Sequence, residues 1–154
     1  MDIRNKGFSI VELVIIILLI SILSIVTLPK LFNNSAFKSA GFQLDLLNAL
    51  RYAQKTAIAS GCDVQITISA ASRTYALNYR SGGTNTSCGA GAFTDPVPHP
   101  QAQGSFIGTA SNDVVLSNDL NVVFDSSGSP SSGGSISLGS KVVTVEPVTG
   151  FVHD

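Results

Sequence analysis

An α+β fold follows from one change of period and one fact of order in a chain of 154 residues. Up to Ser60 the apolar residues recur at helical spacing; from Asp63 onward they alternate with polar ones, as in half-buried strands. The helical stretch comes first and about six short strand-like runs follow, without the alternation of helix and strand that builds a parallel sheet.

The first element is an apolar run from Phe8 to Leu28, about 30 Å of helix and enough to span a bilayer. Arg4 and Lys6 precede it, so the N-terminus should stay cytoplasmic and the remainder should cross. A cleavable secretory signal would carry its small-residue site on the far side of the run. Here the far side reads TLPKLFNN, and the small residue that could mark a cut is Gly7, on the near side. Glu12 is the one side-chain charge between Phe8 and Leu28. An acid at the centre of such a helix costs about 2.5–3.5 kcal/mol, less towards its end, and ionisable residues so placed usually have a partner or a task.

Pro29 and Asn33-Asn34-Ser35 interrupt this helix without ending it. Apolar residues Phe37, Ala40, Leu44, Leu47, Leu50, Ala53, Ala57 and Ile58 continue at helical spacing, and Ser60-Gly61 supplies a stop. The expectation is one long rod kinked near Pro29, apolar all round at first and then amphipathic, with that stripe packed on a sheet.

Val64, Ile66 and Ile68, then Tyr75, Leu77 and Tyr79, mark two strands joined around Ala71-Ser72-Arg73. Residues 81–104, rich in glycine and proline, read as a long surface loop pinned at Cys88. Further short strands are expected at Val114–Leu116, Val122–Phe124, Ile136–Leu138, Val142–Val145 and Phe151-Val152. The serine- and glycine-rich residues 126–134 read as a flexible hairpin loop.

Charge is unevenly spread although the net value is only −1. Beyond Arg80, Lys141 stands alone against Asp95, Asp113, Asp119, Asp125, Glu146 and Asp154, a poor surface for gripping phosphates, so nucleic acid is not an expected partner. His99 and His153 sit in the proline-rich loop and at the C-terminal end, unframed by any nucleophile motif. Cys62 and Cys88 lack the spaced partners of a zinc site. No catalytic residue, metal or cofactor is expected, and the chain does not read as an enzyme. Both cysteines lie on the exported side, where a disulfide is expected; it would close a loop of about 27 residues and contribute roughly 3–4 kcal/mol. The alternative is two buried free thiols.

The stretch KGFSIVEL followed by its apolar run resembles the N-termini of type IV pilins and of the pseudopilins of type II secretion. That resemblance implies that a prepilin peptidase cuts between Gly7 and Phe8 and that Phe8 becomes the N-methylated terminus. Glu12 is then the fifth residue of the mature chain, partnered during assembly by the positive amine of a neighbouring subunit's first residue. Pro29 falls where these pilins carry a kinking proline. The stretch RYAQKTAIASG from Arg51, NVVFDSSG from Asn121, the runs SISL and VVTV, and TGFV from Thr149 resemble the GspH/FimT family of minor pseudopilins and minor pilins. The implied fold is pilin-like: a long N-terminal helix, membrane-spanning in its first half and amphipathic in its second, packed on two small antiparallel β-sheets.

The chain would then divide into a cytoplasmic leader (1–7), a transmembrane and assembly half-helix (8–29) and a periplasmic or extracellular globular domain (30–154). Its partners would be the prepilin peptidase, other major and minor pilins, the inner-membrane assembly platform, and the membrane itself before assembly. It would move from the bacterial inner membrane to the pilus at the cell surface. The resemblance leans towards a minor subunit at or near the tip of a type IV pilus, of the mannose-sensitive haemagglutinin type, that helps to prime assembly. A type II secretion minor pseudopilin and a DNA-binding minor pilin of uptake are the alternatives.

Overall fold

The structure, a computed structural model, describes residues 7–32 and 35–154, the side chains of 26–32 and 36 excepted. The chain separates into two compact units, Met1–Asn34 and Ser35–Asp154. The first holds helix α1, Ile10–Phe32. Among the described residues no helix is long and apolar enough to cross a membrane. The expected span from Phe8 to Leu28 runs into positions whose side chains lie outside the description, which reaches Ile25 without interruption. The leader residues 1–6 and the junction Asn33-Asn34, and with them the single kinked rod, also lie outside it.

The second unit opens with helix α2, Ser35–Ser60, 26 residues long. Eight strands follow: β1 Val64–Ser69, β2 Thr74–Arg80, β3 Phe93–Pro96, β4 Ile107–Thr109, β5 Leu120–Phe124, β6 Gly134–Leu138, β7 Lys141–Val145 and β8 Val152–His153. They form two antiparallel sheets, one in the order β3-β2-β1-β5 with β4 also on β2, the other β6-β7-β8. This is the α+β arrangement of one helix on two small sheets.

The register places the apolar residues in cross-strand rows. Tyr79, Val64 and Phe124 align, as do Leu77, Ile66 and Val122, and all six are buried. A one-residue slip would turn each row to the other face, so burial on one side fixes the pairing. Against these rows α2 sets Phe42, Leu46, Leu50, Ala53 and Ala57, and Ile136, Leu138, Val143, Val145 and Val152 of the second sheet complete a single core. Tyr75 ends its row with its hydroxyl donating to Asp45 Oδ2 at 2.8 Å; burial first, and then that carboxylate, push the phenol's pKa up.

Four expectations are corrected. The buried stripe of α2 keeps Leu47, Leu50, Ala53 and Ala57 but is completed by Phe42, Leu46 and Ala49, whereas Phe37 is 80%, Leu44 60% and Ile58 52% exposed. Phe37 and Leu44 lie away from the buried stripe, a distinction that spacing alone does not make. Ile58 lies at its flank beside the Gly128 turn, where a Cβ on Gly128 would meet its Cδ1 at 2.7 Å. The surface loop 81–104 is not wholly loop, because Phe93–Pro96 pairs with β2. Val114–Leu116 is no strand: Val114 and Leu116 are buried, but only Leu116 pairs, as an isolated bridge to Leu138. Residues 126–134 are not a hairpin loop, since β5 belongs to the first sheet and β6 to the second.

β4 has no period to read in the sequence, being three residues long and centred on glycine. Gly108 is required there: a Cβ would come within 2.3 Å of the Tyr75 ring.

Candidate assembly site

Gly7, Phe8 and Ser9 are exposed and precede the first helical turn. Ser9 caps α1: its hydroxyl oxygen accepts the Val11 N–H at 3.3 Å, and its carbonyl accepts the Leu13 N–H at 3.1 Å. Glu12 therefore sits in the first turn, three residues after the cap, the spacing of a capping box. A carboxylate at a helix N-terminus is favoured by about 0.3–1 kcal/mol through the helix dipole. The serine cap was readable from Ser9-Ile10-Val11-Glu12 and gives Glu12 a local role beside any intermolecular one. Among the described residues Glu12 has no ion-pair partner.

Beyond Glu12, α1 is apolar on every side. The described side chains from Leu13 to Ile25 are aliphatic except Ser21 and Ser24, and nearly all are exposed. The two hydroxyls donate to the carbonyls of Ile17 and Ile20, one turn back, each at 2.7 Å. Their polarity is thus satisfied within the helix, which suits an apolar surrounding.

In the second unit three of the sequence segments that carry the family resemblance converge, those from Arg51, Asn121 and Thr149. Gln54 on α2 donates through Nε2 to the Gly128 carbonyl at 2.9 Å and to the Thr149 carbonyl at 3.0 Å. Arg51 donates to the Val152 carbonyl at 3.0 Å. Gly150, at φ 66°, closes the contact: a Cβ there would meet the Gly128 carbonyl oxygen at 2.6 Å and Gln54 Nε2 at 2.7 Å. The serine-rich turn is held by Asp125, whose Oδ1 accepts the Ser127 hydroxyl and the N–H groups of Ser127 and Ser129. These bonds, the Ser127 hydroxyl foremost, lower the Asp125 pKa. What Asp125 contributes to stability is therefore present above the ordinary aspartate range and lost as pH falls through the lowered value.

The convergence is a structural lock tying the helix to both sheets. Gln54→Ala leaves two carbonyls without their donor and should lower stability by about 1–3 kcal/mol. Denaturant unfolding of the full chain in detergent should read this as a shifted midpoint with an unchanged slope.

Cys62 and Cys88 are joined in a disulfide, so the alternative of two free thiols is set aside. The histidines are engaged rather than idle. His153 Nε2 meets Glu146 Oε1 at 3.0 Å and its ring stacks on Phe151, while His99 stacks on Phe106 and accepts two backbone N–H groups. Neither role could be read from spacing, because the partners lie outside the regular strands.

No curated protein and no solved structure matches the chain. A family model described as the type II transport protein GspH matches residues 44–148, roughly two-thirds of the chain, from the middle of α2 to just short of β8. The chain belongs to the GspH family of type II transport proteins.

Proposed function

We propose that this chain is a minor structural subunit of a type IV pilus, incorporated at or near the tip and helping to prime fibre assembly. Members of the GspH family are minor pseudopilins or pilin-like subunits of type II secretion or type IV pilus systems, associating with other such subunits. The observation that carries the finer reading is α1: an exposed helix, apolar all round, with a single carboxylate in its first turn. Such a helix is stable only in a bilayer or packed among others like it. The outward residues Phe37 and Leu44 on α2 add further exposed apolar surface of the kind that meets neighbouring subunits.

In this proposal residues 1–7 are a leader removed by the prepilin peptidase between Gly7 and Phe8. Phe8 is N-methylated, and the chain waits in the inner membrane until the assembly platform extracts it. Its role is structural rather than catalytic. The description of the matching family as a type II transport protein favours a second reading, a pseudopilin of a secretion system.

The test is intact-mass and N-terminal peptide analysis of the protein in sheared surface fibres and in membranes of the same cells. A chain beginning at N-methylated Phe8, at trace level in fibres, is expected. The same processed chain absent from fibres, with outer-membrane cargo secretion failing in its deletion, selects the pseudopilus. A chain still beginning at Met1 sinks both.

A further inference from the structure

Two loops of the second unit are each closed by backbone N–H groups that converge on one side-chain acceptor. After β5, Asp125 Oδ1 accepts the N–H groups of Ser127 at 2.8 Å and Ser129 at 3.0 Å. Between Pro98 and Ser105, which bridge, the chain turns back through HPQAQG, and the His99 N–H donates to the Gly104 carbonyl at 3.0 Å. Here the acceptor is His99 Nδ1, which takes the N–H of Gln101 at 3.1 Å and of Ala102 at 3.0 Å. The imidazole is the acceptor here as the carboxylate is in the other loop, its second donor three residues on rather than four. Its ring is held by stacking on Phe106, centroids 4.6 Å apart, and Phe106 stacks in turn on Tyr52 of α2 at 4.8 Å.

We propose that His99 is a pH-sensitive latch. Its unprotonated Nδ1 holds residues 99–104 closed over Phe106, and protonation releases the segment and uncovers that ring. Nδ1 can accept two N–H groups only while it carries no proton, so the closed loop fixes the neutral imidazole with its hydrogen on Nε2. A proton on Nδ1 would face two donors with a third. Turning the ring over would bring Cδ2 to the same place, and carbon accepts nothing. The closed loop therefore excludes the imidazolium.

Histidine is the side chain whose ordinary titration lies between about pH 5 and pH 8. The charged and titratable groups on the elements packed around it are Lys38, Asp45, Arg51, Tyr52 and Lys55 of α2, Tyr75, Tyr79 and Arg80 of β2, and Asp95 of β3. Of these, Lys38 pairs with Asp113, Asp45 accepts the Tyr75 hydroxyl, Arg51 donates to the Val152 carbonyl and Arg80 to Asp63. Tyr52 and Tyr75 reach it through Phe106, and the Asp95 carboxylate accepts the Gly82 N–H instead. Among the described residues no carboxylate bonds to the His99 ring to retain a proton there. His153 is the opposite case: its Nε2 already meets Glu146 Oε1, a pair that protonation strengthens. Acid thus opens the His99 loop. The Asp125 loop, whose acceptor stays charged, is the built-in control.

The experiment is amide hydrogen exchange by NMR on the uniformly labelled full chain in detergent micelles, from about pH 8 to about pH 5. Protection factors of Gln101 and Ala102 should fall about tenfold or more as the His99 ring titrates, while those of Ser127 and Ser129 hold. His99→Asn, whose side-chain oxygen can accept the same two N–H groups as an Asx turn, should stay protected at every pH. His99→Ala should be unprotected throughout. Wild-type protection that stays flat while the ring titrates would overturn the latch. So would a ring that does not titrate above about pH 5, or a His99→Asn variant with the wild-type pH dependence.

Discussion

Replacing Glu12 by alanine should lower incorporation of the chain into fibres by about two to three orders of magnitude while leaving the unfolding of residues 35–154 unchanged. The reasoning starts from the surroundings of the carboxylate. Glu12 opens a helix whose described side chains are otherwise aliphatic apart from two serines satisfied on their own backbone. Moved out of water into such company, a carboxylate must find a cation or give up its charge. In the proposed assembly the cation is the terminal ammonium of a neighbouring subunit. Removing one member of a buried pair costs about 3–5 kcal/mol, because the other is left uncompensated.

A competing explanation is local, since Glu12 also serves the capped first turn, worth only about 0.3–1 kcal/mol. Glu12→Gln separates the two. Glutamine can complete a capping box but carries no charge. If the pairing matters, Glu12→Gln fails in fibres as badly as Glu12→Ala; if the first turn matters, it assembles normally and the ion pair is discarded. The measurement is the ratio of this chain in sheared fibres to that in membranes.

The parts of the second unit that were legible in sequence are those with an uninterrupted period. β1 and β2 alternate without a break over six and seven residues, and burial follows the alternation. The helix α2 was equally plain, but the face it buries was not. It carries apolar residues on more than one face, and only the sheet decides that Phe42, Leu46 and Ala49 go inward while Phe37 and Leu44 stay out. β3 and β4 had no period to read: one ends in proline, the other is centred on glycine, and both exist because the outer edge of β2 takes partners. The serine-rich segment after Phe124 looked flexible because composition does not show long-range acceptors. Gln54, 74 positions away, and the carboxylate of Asp125 order it. The pairing of Cys62 with Cys88 was legible from topology, since both follow the apolar run.

That bond is the second large lever on the molecule. The full chain carrying Cys62→Ala and Cys88→Ala should unfold with a stability lower by about 3–4 kcal/mol, from the entropy that a cross-link across about 27 residues removes from the unfolded chain. Cys62 is buried just past the end of α2, and Cys88 draws the loop after β2 onto it. The loop has other ties. Tyr79 donates its hydroxyl to Asn85 Oδ1 at 2.6 Å. Arg80 donates to Asp63 from Nε at 3.0 Å and Nη2 at 2.9 Å, and to the Gly91 carbonyl at 2.9 Å. Its guanidinium also lies over the Phe93 ring at 4.4 Å. These contacts act in the folded state and survive loss of the bond, so the double variant should keep residues 81–92 in place while its denaturant midpoint falls at unchanged slope. Adding Arg80→Ala should then free the loop, seen as rapid hydrogen exchange confined to those residues. If the cysteine-free chain exchanges rapidly there by itself, the bond orders the loop directly and the unfolded-state account is wrong. If its midpoint moves by less than about 1 kcal/mol, the unfolded chain is already held near closure and the bond contributes little.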